Sequence, residues 1–435
     1  MIKKAGKPRK QKRQEFVASG VSKVTSATDK TSASKSGKKA KKRAHVSAPK
    51  SGQRRLLWVG DAVARTGFAT VTHSILESLH KQWDVVVSGI NYRREPHNYP
   101  YTILPAQRGS DMWGVDHFPA LCEELQPAVV VINNDWWNVA EFLVHKPQVP
   151  VIAYMPVDGK NLAPRAIEQL NSLDAAIWYT EFGRREAEQA GYEGLSSVIP
   201  HGVDERLYEP VPKQTARRQL GLRVPYDAFV VGNVNRNQPR KRLDLTIQYF
   251  AEWIQWFNVA NAYLCLHCAQ EDIGWDLRQL AEYYRIADRV VFSGPASLEN
   301  DFAVDRMPLV YNSLDVQVTT TLGEGWGLTT MEGMMCGVPQ IVPEWSALAE
   351  WPKHVVSVPC TSQFAHPEVN TIGGVPDKEA FIRALNDLYS NSQRRRQLGE
   401  LGRQHVSQPS FRWNEISGQF HQVLQQVTRR EAVLN

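Results

Sequence analysis

Short apolar runs alternate with helical patterns along most of this sequence, and this alternation constrains the fold more than any other feature. The first series contains RRLLWVG, WDVVVSG, AVVVIN, VPVIAYM and DAAIWYT, with apolar residues at helical spacing between the runs. Runs rich in Val and Ile that are apolar throughout are typical of strands buried on both faces of a parallel sheet. The pattern predicts a doubly wound α/β domain.

The alternation stops in a Pro-rich connection near residues 196–214 and then restarts with DAFVVGNV, NAYLCLHCA, RVVFSG, DVQVTTT and PQIVP. A boundary in this connection predicts two Rossmann-like domains, residues 54–205 and 206–410. Residues 411–435 are expected to form a helix that packs back on the first domain. Doubly wound sheets bind ligands at the carboxyl ends of their strands, so the predicted site is a cleft between the domains.

The N-terminus differs in kind from the rest of the chain. Residues 1–55 hold 18 of the 51 Lys and Arg residues but only two acidic residues, so the remainder carries a net charge of about −10 although the whole chain is +6. Residues 1–53 are predicted to be a disordered basic tail. The charges suit sequence-independent contact with DNA, contact with an anionic membrane, a targeting signal or a solvated leader.

The remaining composition predicts a cytoplasmic protein with no transmembrane segment, because no apolar run approaches 18 residues and no signal-peptide pattern follows the basic start. Five scattered cysteines argue against a disulfide framework. Cys265 and Cys268 form a CxxC, but they lie in an apolar run that indicates a buried strand, and no second ligand pair follows at zinc-site spacing. No metal or cofactor is predicted.

The clearest local motif is GEGWGLTTMEGMMCGVP at residues 323–339. A glycine-rich loop that leads into a helix leaves the backbone N–H groups of Gly327, Leu328 and Thr329 free to bind phosphate. Glu324 precedes the loop and Glu332 lies on the helix, so the two carboxylates can bind separate hydroxyl groups. The alternative is an ordinary strand, loop and helix with solvated glutamates.

A second motif, GNVNRNQPRKRLD, follows the first strand of the second domain. Arg236 and Lys241 could neutralise a diphosphate leaving group in place of a metal ion, or they could belong to a solvated basic loop. Arg240 and Arg242 are given no role and are expected to face water. No Asp-x-Asp, P-loop, G-x-G-x-x-G or G-x-S-x-G motif occurs, which removes the main support for kinase, dehydrogenase and serine hydrolase functions.

Taken together, these motifs resemble the GT-B glycosyltransferases, in particular the retaining family 4. The family carries a Glu-x7-Glu element that begins E-G-[FW]-G-L, which Glu324 to Glu332 match directly, and an upstream G-R-x4-K-like loop, which Arg236 and Lys241 match in spacing. TEFGRREAEQAG, VIPHGVD and RWNEISGQF are also similar to family segments. The resemblance covers about residues 55–430 and is specific in the second domain.

The resemblance implies roles for these residues in binding a nucleotide-sugar donor. Arg236 and Lys241 would bind its diphosphate, Glu324 the hydroxyls of the sugar and Glu332 those of the ribose. The amides of Gly327, Leu328 and Thr329 would meet the distal phosphate. In the first domain ARTGFAT is similar to the family's glycine loop, with Gly67 permitting close approach of the donor. Transfer would be retaining, with the leaving phosphate helping to deprotonate the acceptor.

The first domain departs from the family, which commonly has a His after the strand VIAYMPVDG. Asp158 stands there and either orients the sugar or acceptor as a catalytic residue or forms a turn before Gly159. His201 occupies a position where the family often has Asn and is interpreted as a hinge or cleft residue.

The leading functional hypothesis is a metal-independent hexosyltransferase that uses a UDP-sugar in preference to a GDP-sugar. Its acceptor would be a modified base in DNA, as for bacteriophage enzymes that glycosylate their genomes, or a carbohydrate or lipid of the cell envelope. The hypothesis from another class is a non-catalytic GT-B-like protein that binds a nucleotide or nucleic acid.

Overall fold

A computed structural model describes residues 52–297, 302–367 and 369–434 of the chain. Residues 1–51 of the predicted basic tail lie outside the described residues. No helix in the described part is long and apolar enough to cross a membrane.

The first domain is built on a seven-stranded sheet whose strands are all parallel, in the order β3-β2-β1-β4-β5-β6-β7. Its central strands are buried along their whole length, as the continuous apolar runs predict. The strands are β1 (Arg55–Asp61), β2 (Asp84–Ile90), β3 (Thr102–Pro105), β4 (Val129–Asn133), β5 (Val151–Met155), β6 (Ala175–Trp178) and β7 (Ser196–Val198).

Helices connect these strands and cover the two faces of the sheet. They are α1 (Gly67–Leu79), α2 (Phe118–Leu125), α3 (Trp136–Leu143), α4 (Pro164–Leu170) and α5 (Glu181–Gln189). The hydroxyl of Thr66 accepts a bond from the Ala69 N–H and so begins α1, and Thr180 caps α5 in the same way through Gly183.

The second domain repeats this design on a six-stranded parallel sheet in the order β10-β9-β8-β11-β12-β13. The strands are β8 (Phe229–Val234), β9 (Ala262–His267), β10 (Val290–Phe292), β11 (Val316–Val318), β12 (Gln340–Pro343) and β13 (Val356–Val358). The fold class predicted from the sequence, α/β with two doubly wound Rossmann-like domains, is confirmed.

The helices of the second half include the long C-terminal helix, which returns to the first domain. They are α6 (Lys213–Leu220), α7 (Leu243–Trp256), α8 (Leu277–Tyr283), α9 (Met307–Asn312), α10 (Leu328–Met335), α11 (Lys378–Ser390), α12 (Ser392–Val406) and α13 (Trp413–Leu434). Short 3-10 turns lie at Pro239–Lys241, Ala287–Arg289, Val304–Arg306, Ser346–Ala349 and Pro409–Phe411. The packing of α13 on α1 includes a bond from the Ser417 hydroxyl to the Ile75 carbonyl, at 3.0 Å.

A hairpin that the sequence patterns did not predict follows the second sheet. It consists of the antiparallel strands β14 (Cys360–Ala365) and β15 (Ile372–Pro376). Its second strand contacts the first domain, because Ile372 exchanges two backbone hydrogen bonds with Lys160, at 2.9 and 3.0 Å. The hairpin therefore joins the two domains at one end of the cleft.

Each sheet has a switch point where the strand order reverses, between β1 and β4 in the first domain and between β8 and β11 in the second. Loops diverge at such points and leave a crevice at the carboxyl ends of the strands. Loops at the carboxyl ends of the two sheets approach each other closely. A Cβ atom added to Gly323 of the second domain would lie 1.8 Å from the carbonyl oxygen of Asp158 of the first.

Candidate active site

Glu324 lies at the centre of the cleft, in the loop between β11 and α10, and is 8% exposed. Its backbone is fixed by Ser346, whose hydroxyl accepts from the Glu324 N–H at 2.9 Å and donates to its carbonyl at 3.0 Å. Its carboxylate accepts a hydrogen bond from Lys241 Nζ at 2.5 Å and another from Arg240 Nη1 at 3.4 Å. The loops after β8 and β11, the two strands at the switch point, thus meet in an ion-pair cluster.

The charges of this cluster decide the ionisation of Glu324. Burial alone would raise the pKa of its carboxyl, but Lys241 and Arg240 outweigh burial and hold that pKa below its ordinary value. Glu324 is therefore an anion at neutral pH. A buried carboxylate with four acceptor positions can bind hydroxyl groups of a ligand without losing its cations.

Arg240 links the two domains, which corrects the expectation that its side chain faces water. Its Nε lies 3.2 Å from Asp158 Oδ2 of the first domain, and it also reaches Glu324 of the second. Its position follows from the 3-10 turn Pro239–Lys241, which directs both Arg240 and Lys241 into the cleft. Asp158, predicted from its place after β5, is therefore part of the cluster.

The other two arginines of this loop have different partners. Arg236 forms a bidentate ion pair with Asp272, in which Nε donates to Oδ2 at 2.7 Å and Nη2 donates to Oδ1 at 3.0 Å. The Arg236 side chain is 47% exposed. Arg242 pairs with Asp244 at 2.8 Å. The predicted contact of Arg236 with a diphosphate stays a prediction, and the structure adds Arg240 as a cation closer to Glu324.

The N-terminus of α10 lies beside the glycine loop of the first domain. Gly327, with φ +95°, reverses the backbone before Leu328 begins the helix. The first-turn amides of a helix have no intrahelical acceptors, so those of Leu328 and Thr329 suit an anion. A Cβ atom on Gly67 would lie 3.2 Å from the Leu328 side chain, so the two loops that were predicted separately are neighbours.

Glu332, one turn further along α10, is enclosed by tyrosines. The hydroxyl of Tyr311 donates to Glu332 Oε2, and Tyr208 hydrogen-bonds the same carboxyl group. Burial raises the pKa of Glu332 to about 7, although both tyrosine bonds oppose the increase. The Glu-x7-Glu motif therefore holds one ionised carboxylate and one carboxyl group poised near neutrality.

The first domain contributes a carboxyl group to which the sequence analysis gave no role. Asp135 follows β4, Asp61 ends β1, and these are the two strands at the switch point. Burial raises the pKa of Asp135 to about 7, with further increases from Asp158 and Asp61 and an opposing effect of Arg240. The signal was present in the sequence, because Asp135 closely follows the predicted buried strand AVVVIN.

His201 is packed among aromatic rings between the domains, with centroids of Tyr179 at 4.2 Å and Trp326 at 5.4 Å. Burial lowers the pKa of its imidazole to about 3, so the ring is neutral. No hydrogen-bond partner for either ring nitrogen is found among the described residues.

Among the described residues, no group of three or more His, Cys, Asp or Glu side chains is arranged to hold a metal ion. Cys265 lies within β9 and Cys268 directly after it, and both are buried. Burial raises the pKa of both thiols, to about 11 and about 12.

Sequence comparison links the second domain to known enzymes. Residues 226–391 match the family model described as "Glycosyl transferases group 1". The D-inositol 3-phosphate glycosyltransferase of Acidothermus cellulolyticus is 30% identical over 150 residues, which are 33% of this chain and 32% of that protein. The lipopolysaccharide core biosynthesis mannosyltransferase LpsB of Rhizobium meliloti is 30% identical over 161 residues, 36% of this chain and 42% of that protein. The matches span about a third to two-fifths of these relatives.

Structural comparison covers far more of the chain. Sucrose-phosphate synthase from Thermosynechococcus elongatus aligns with 87% of this chain and 100% of its own, with a TM-score of 0.68 and 19% identity. Anabaena HepE in complex with UDP-glucose aligns with 86% of this chain and 100% of its own, with a TM-score of 0.67 and 17% identity. The chain has the GT-B fold. Within this architecture, Arg240 connects Glu324 of the second domain to Asp158 of the first.

Proposed function

We propose that this protein is a retaining, metal-independent glycosyltransferase that moves a hexose from a nucleoside diphosphate sugar to a hydroxyl acceptor. The observation that carries the proposal is the Glu324 carboxylate, which is buried, ionised and paired with Lys241 and Arg240 beside the N-terminus of α10. A uridine diphosphate sugar is the preferred donor. The UDP-glucose complex of HepE supports this choice, and the match of residues 226–391 to the group 1 glycosyltransferases supports sugar transfer in general.

The leaving diphosphate would be neutralised by protein groups. Lys241 and Arg240, with Arg236 nearer the surface, provide cations, and the amides of Gly327, Leu328 and Thr329 provide hydrogen-bond donors at the positive end of a helix. These groups act where negative charge develops as the glycosidic bond breaks. They take the part that a divalent ion plays in metal-dependent transfer, so no metal is required.

The two glutamates would orient the donor. Glu324 accepts bonds from hydroxyls of the transferred sugar, and Glu332 accepts them from the ribose after exchange with its tyrosine partners. Asp158 contacts the sugar or the acceptor from the first domain and is fixed by Arg240. Retention requires the acceptor to attack from the face that the diphosphate leaves, which places both groups in the cleft between the domains.

The proposed acceptor is a hydroxyl on a modified base in DNA. The support is electrostatic: the first 55 residues carry 18 basic side chains against two acidic ones, whereas the rest of the chain is acidic. A basic segment adds salt-sensitive affinity for the phosphate backbone without reading sequence. The second candidate is a carbohydrate or lipid acceptor of the cell envelope, which is favoured by similarity to enzymes named for inositol phosphate and lipopolysaccharide core.

A deletion of residues 1–51 tests the acceptor. Labelled UDP-glucose is incubated with duplex DNA containing 5-hydroxymethylcytosine at about 50 and about 200 mM salt, with hydrolysis of the donor as the control for catalytic integrity. We expect transfer to DNA to fall at least about tenfold in the deletion variant while hydrolysis is unchanged. Equal transfer by both proteins would reject the tail's role, and transfer only to glycan or lipid-linked acceptors would reject DNA.

A further inference from the structure

The segment between β2 and β3, residues 91–101, carries stacked aromatic rings at the carboxyl edge of the first sheet. Tyr99 lies parallel to His73 of α1, with 3.6 Å between the ring centroids and 5° between the ring planes. Tyr101 is nearly parallel to Tyr99, at 5.8 Å and 12°. The Tyr99 side chain is 39% exposed, so part of its ring remains open to solvent while His73 supports it.

Hydrogen bonds fix the orientation of these rings. Burial lowers the pKa of the His73 imidazole to about 4, so the ring is neutral. Its Nε2 lies 3.0 Å from the Ala62 carbonyl and its Nδ1 lies 2.6 Å from the Tyr101 hydroxyl. A neutral imidazole has one donor and a carbonyl can only accept, so Nε2 donates to Ala62 and the Tyr101 hydroxyl donates to Nδ1. Tyr99 therefore packs on a ring that cannot rotate freely.

Short links connect the stack to the cleft. Ala62 directly follows Asp61 at the end of β1, and Asn91 after β2 donates from Nδ2 to Asp61 Oδ1 at 3.1 Å. The glycine loop follows in the chain, and a Cβ atom on its Gly67 would lie 3.2 Å from Leu328 at the start of α10. The stack thus lies beside the loop that meets the proposed diphosphate site. Retaining transfer requires the acceptor on the side of the leaving diphosphate.

The other end of the cleft is bridged by the hairpin of β14 and β15. The hairpin bonds to Lys160, which follows β5. In the strand order of the first sheet, β5 and β2 lie on opposite sides of the switch point between β1 and β4. A long acceptor chain would therefore approach from the β2 end, where residues 91–101 lie.

The charges of this segment suit a polyanion. Arg93 and Arg94 are exposed, and within the described part of the chain neither guanidinium forms an ion pair. Glu95, the one acidic residue of the segment, accepts from the backbone N–H of Arg93 at 2.7 Å. Cations beside an exposed aromatic ring are the combination that binds unpaired nucleic acid, because the cations contact phosphates and a base stacks on the ring.

We propose that residues 91–101 form a platform for the acceptor base of DNA, with Tyr99 stacked on the extruded base and Arg93 and Arg94 bound to flanking phosphates. The inference rests on the proposed function and names the surface that holds its DNA acceptor. A base must leave the duplex to bring its hydroxyl group to the anomeric carbon, and a new aromatic partner offsets part of the lost stacking. Tyr99 positions the acceptor and takes no part in the bond changes.

Kinetics with DNA as the varied substrate test the platform. Full-length wild type, Tyr99→Ala and Tyr99→Phe receive labelled UDP-glucose and duplex DNA that contains 5-hydroxymethylcytosine, and Tyr283→Ala is the control because Tyr283 is a 76% exposed ring of the second domain. We expect Tyr99→Ala to raise the KM for DNA, and to lower the ratio of DNA transfer to donor hydrolysis, at least about tenfold. Tyr99→Phe keeps the ring, so it and the control should stay within about threefold of wild type.

The urea unfolding midpoint and the Kd for UDP show whether each variant is folded with an intact donor site. A structural role of Tyr99 would lower the midpoint and change both measured activities together. A role in stacking changes the KM for DNA while the midpoint and the Kd for UDP stay near their wild-type values.

Salt dependence tests the two arginines. A variant that combines Arg93→Gln with Arg94→Gln should reduce the slope of log KM for DNA against log salt concentration by about 1 to 2, because fewer counterions are released from the phosphates. Arg218→Gln with Arg223→Gln removes the same charge from exposed positions of the second domain and should leave the slope unchanged. Equal slopes in all three proteins would reject the phosphate contacts.

The outcomes separate this inference from the proposed function. A KM for DNA in Tyr99→Ala within about threefold of wild type, or an equal loss in Tyr99→Phe, would overturn the platform. Tyr99-dependent transfer to a glycan or lipid-linked acceptor with none to DNA would also overturn it. A wild type that hydrolyses UDP-glucose but never modifies DNA would reject the platform and leave sugar transfer standing, whereas failure to turn over any donor would overturn the proposed function itself.

Discussion

Arg240 of the second domain forms an ion pair with Asp158 of the first, with 3.2 Å between Nε and Oδ2. The same guanidinium approaches Glu324, so the pair joins the two halves of the cleft at the point where the sugar of a donor is proposed to lie. Of three arginines within seven residues, Arg240 is the one whose partners lie on both sides of the cleft.

Replacing Arg240 by Gln is expected to lower kcat/KM for donor turnover by about 10²- to 10³-fold, because a partly buried cation aimed at developing negative charge is lost. Arg242→Gln is the matched control, since the ion pair of Arg242 is with Asp244 and its guanidinium lies over the Phe364 ring, both within the second domain, and its effect should stay within about threefold. Steady-state kinetics with UDP-glucose measures both. An equal loss of kcat/KM in the two variants would contradict a specific role for Arg240, because it would show that any substitution in this loop impairs turnover.

Glu332 gives the folded protein a specific pH dependence. Its pKa is about 7 in the fold against 4.5 ordinarily, so the folded state keeps a proton that the unfolded state has lost. Its contribution to stability is therefore lost as pH rises from about 4.5 to about 7. The wild type should lose about 1 to 3 kcal/mol of unfolding free energy between pH 5 and pH 8 relative to Glu332→Gln.

Urea titrations of the two proteins at both pH values measure this difference. The comparison cancels other groups that titrate in the same range, Asp135 included. A difference between wild type and variant that is the same at pH 5 and pH 8 would show that Glu332 ionises normally in the fold.

Gly323→Ala tests the close approach of the domains. The added Cβ would lie 1.8 Å from the Asp158 carbonyl, and backbone atoms cannot turn away as a flexible side chain can, so the cleft must widen. We expect kcat to fall at least about tenfold while UDP affinity, a property of the second domain, changes by less than about threefold. Gly418→Ala is the control, because nothing lies within 4 Å of its added Cβ.

The fold was largely predictable because its main strands are continuous apolar runs, which carry a strong signal. The strands that escaped prediction are short or exposed. TILP at β3 has only four residues, and CTSQFA at β14 is mostly exposed, so neither shows the apolar pattern of a buried strand. The contact of the β14–β15 hairpin with Lys160 depends on tertiary packing alone.

The site was predictable where its residues are contiguous, as in the loop and helix from Glu324 to Glu332. Spacing could not decide between Arg236 and Arg240, because the 3-10 turn at Pro239–Lys241 selects which side chains enter the cleft. Asp135 was given no role for a different reason. A lone aspartate after a strand becomes notable only when the sheet order places that strand at the switch point, next to Asp61.

The central claim is turnover of a nucleotide sugar without a metal ion. The direct measurement is the UDP or GDP released from a panel of nucleotide sugars by the full-length protein in excess EDTA, with Glu324→Gln alongside. We expect release from a UDP-hexose at the same rate with and without EDTA, and at least about 100-fold less from Glu324→Gln. Tight UDP binding with no release from any donor would contradict the account and support a nucleotide-binding protein, and release abolished by EDTA would contradict metal independence.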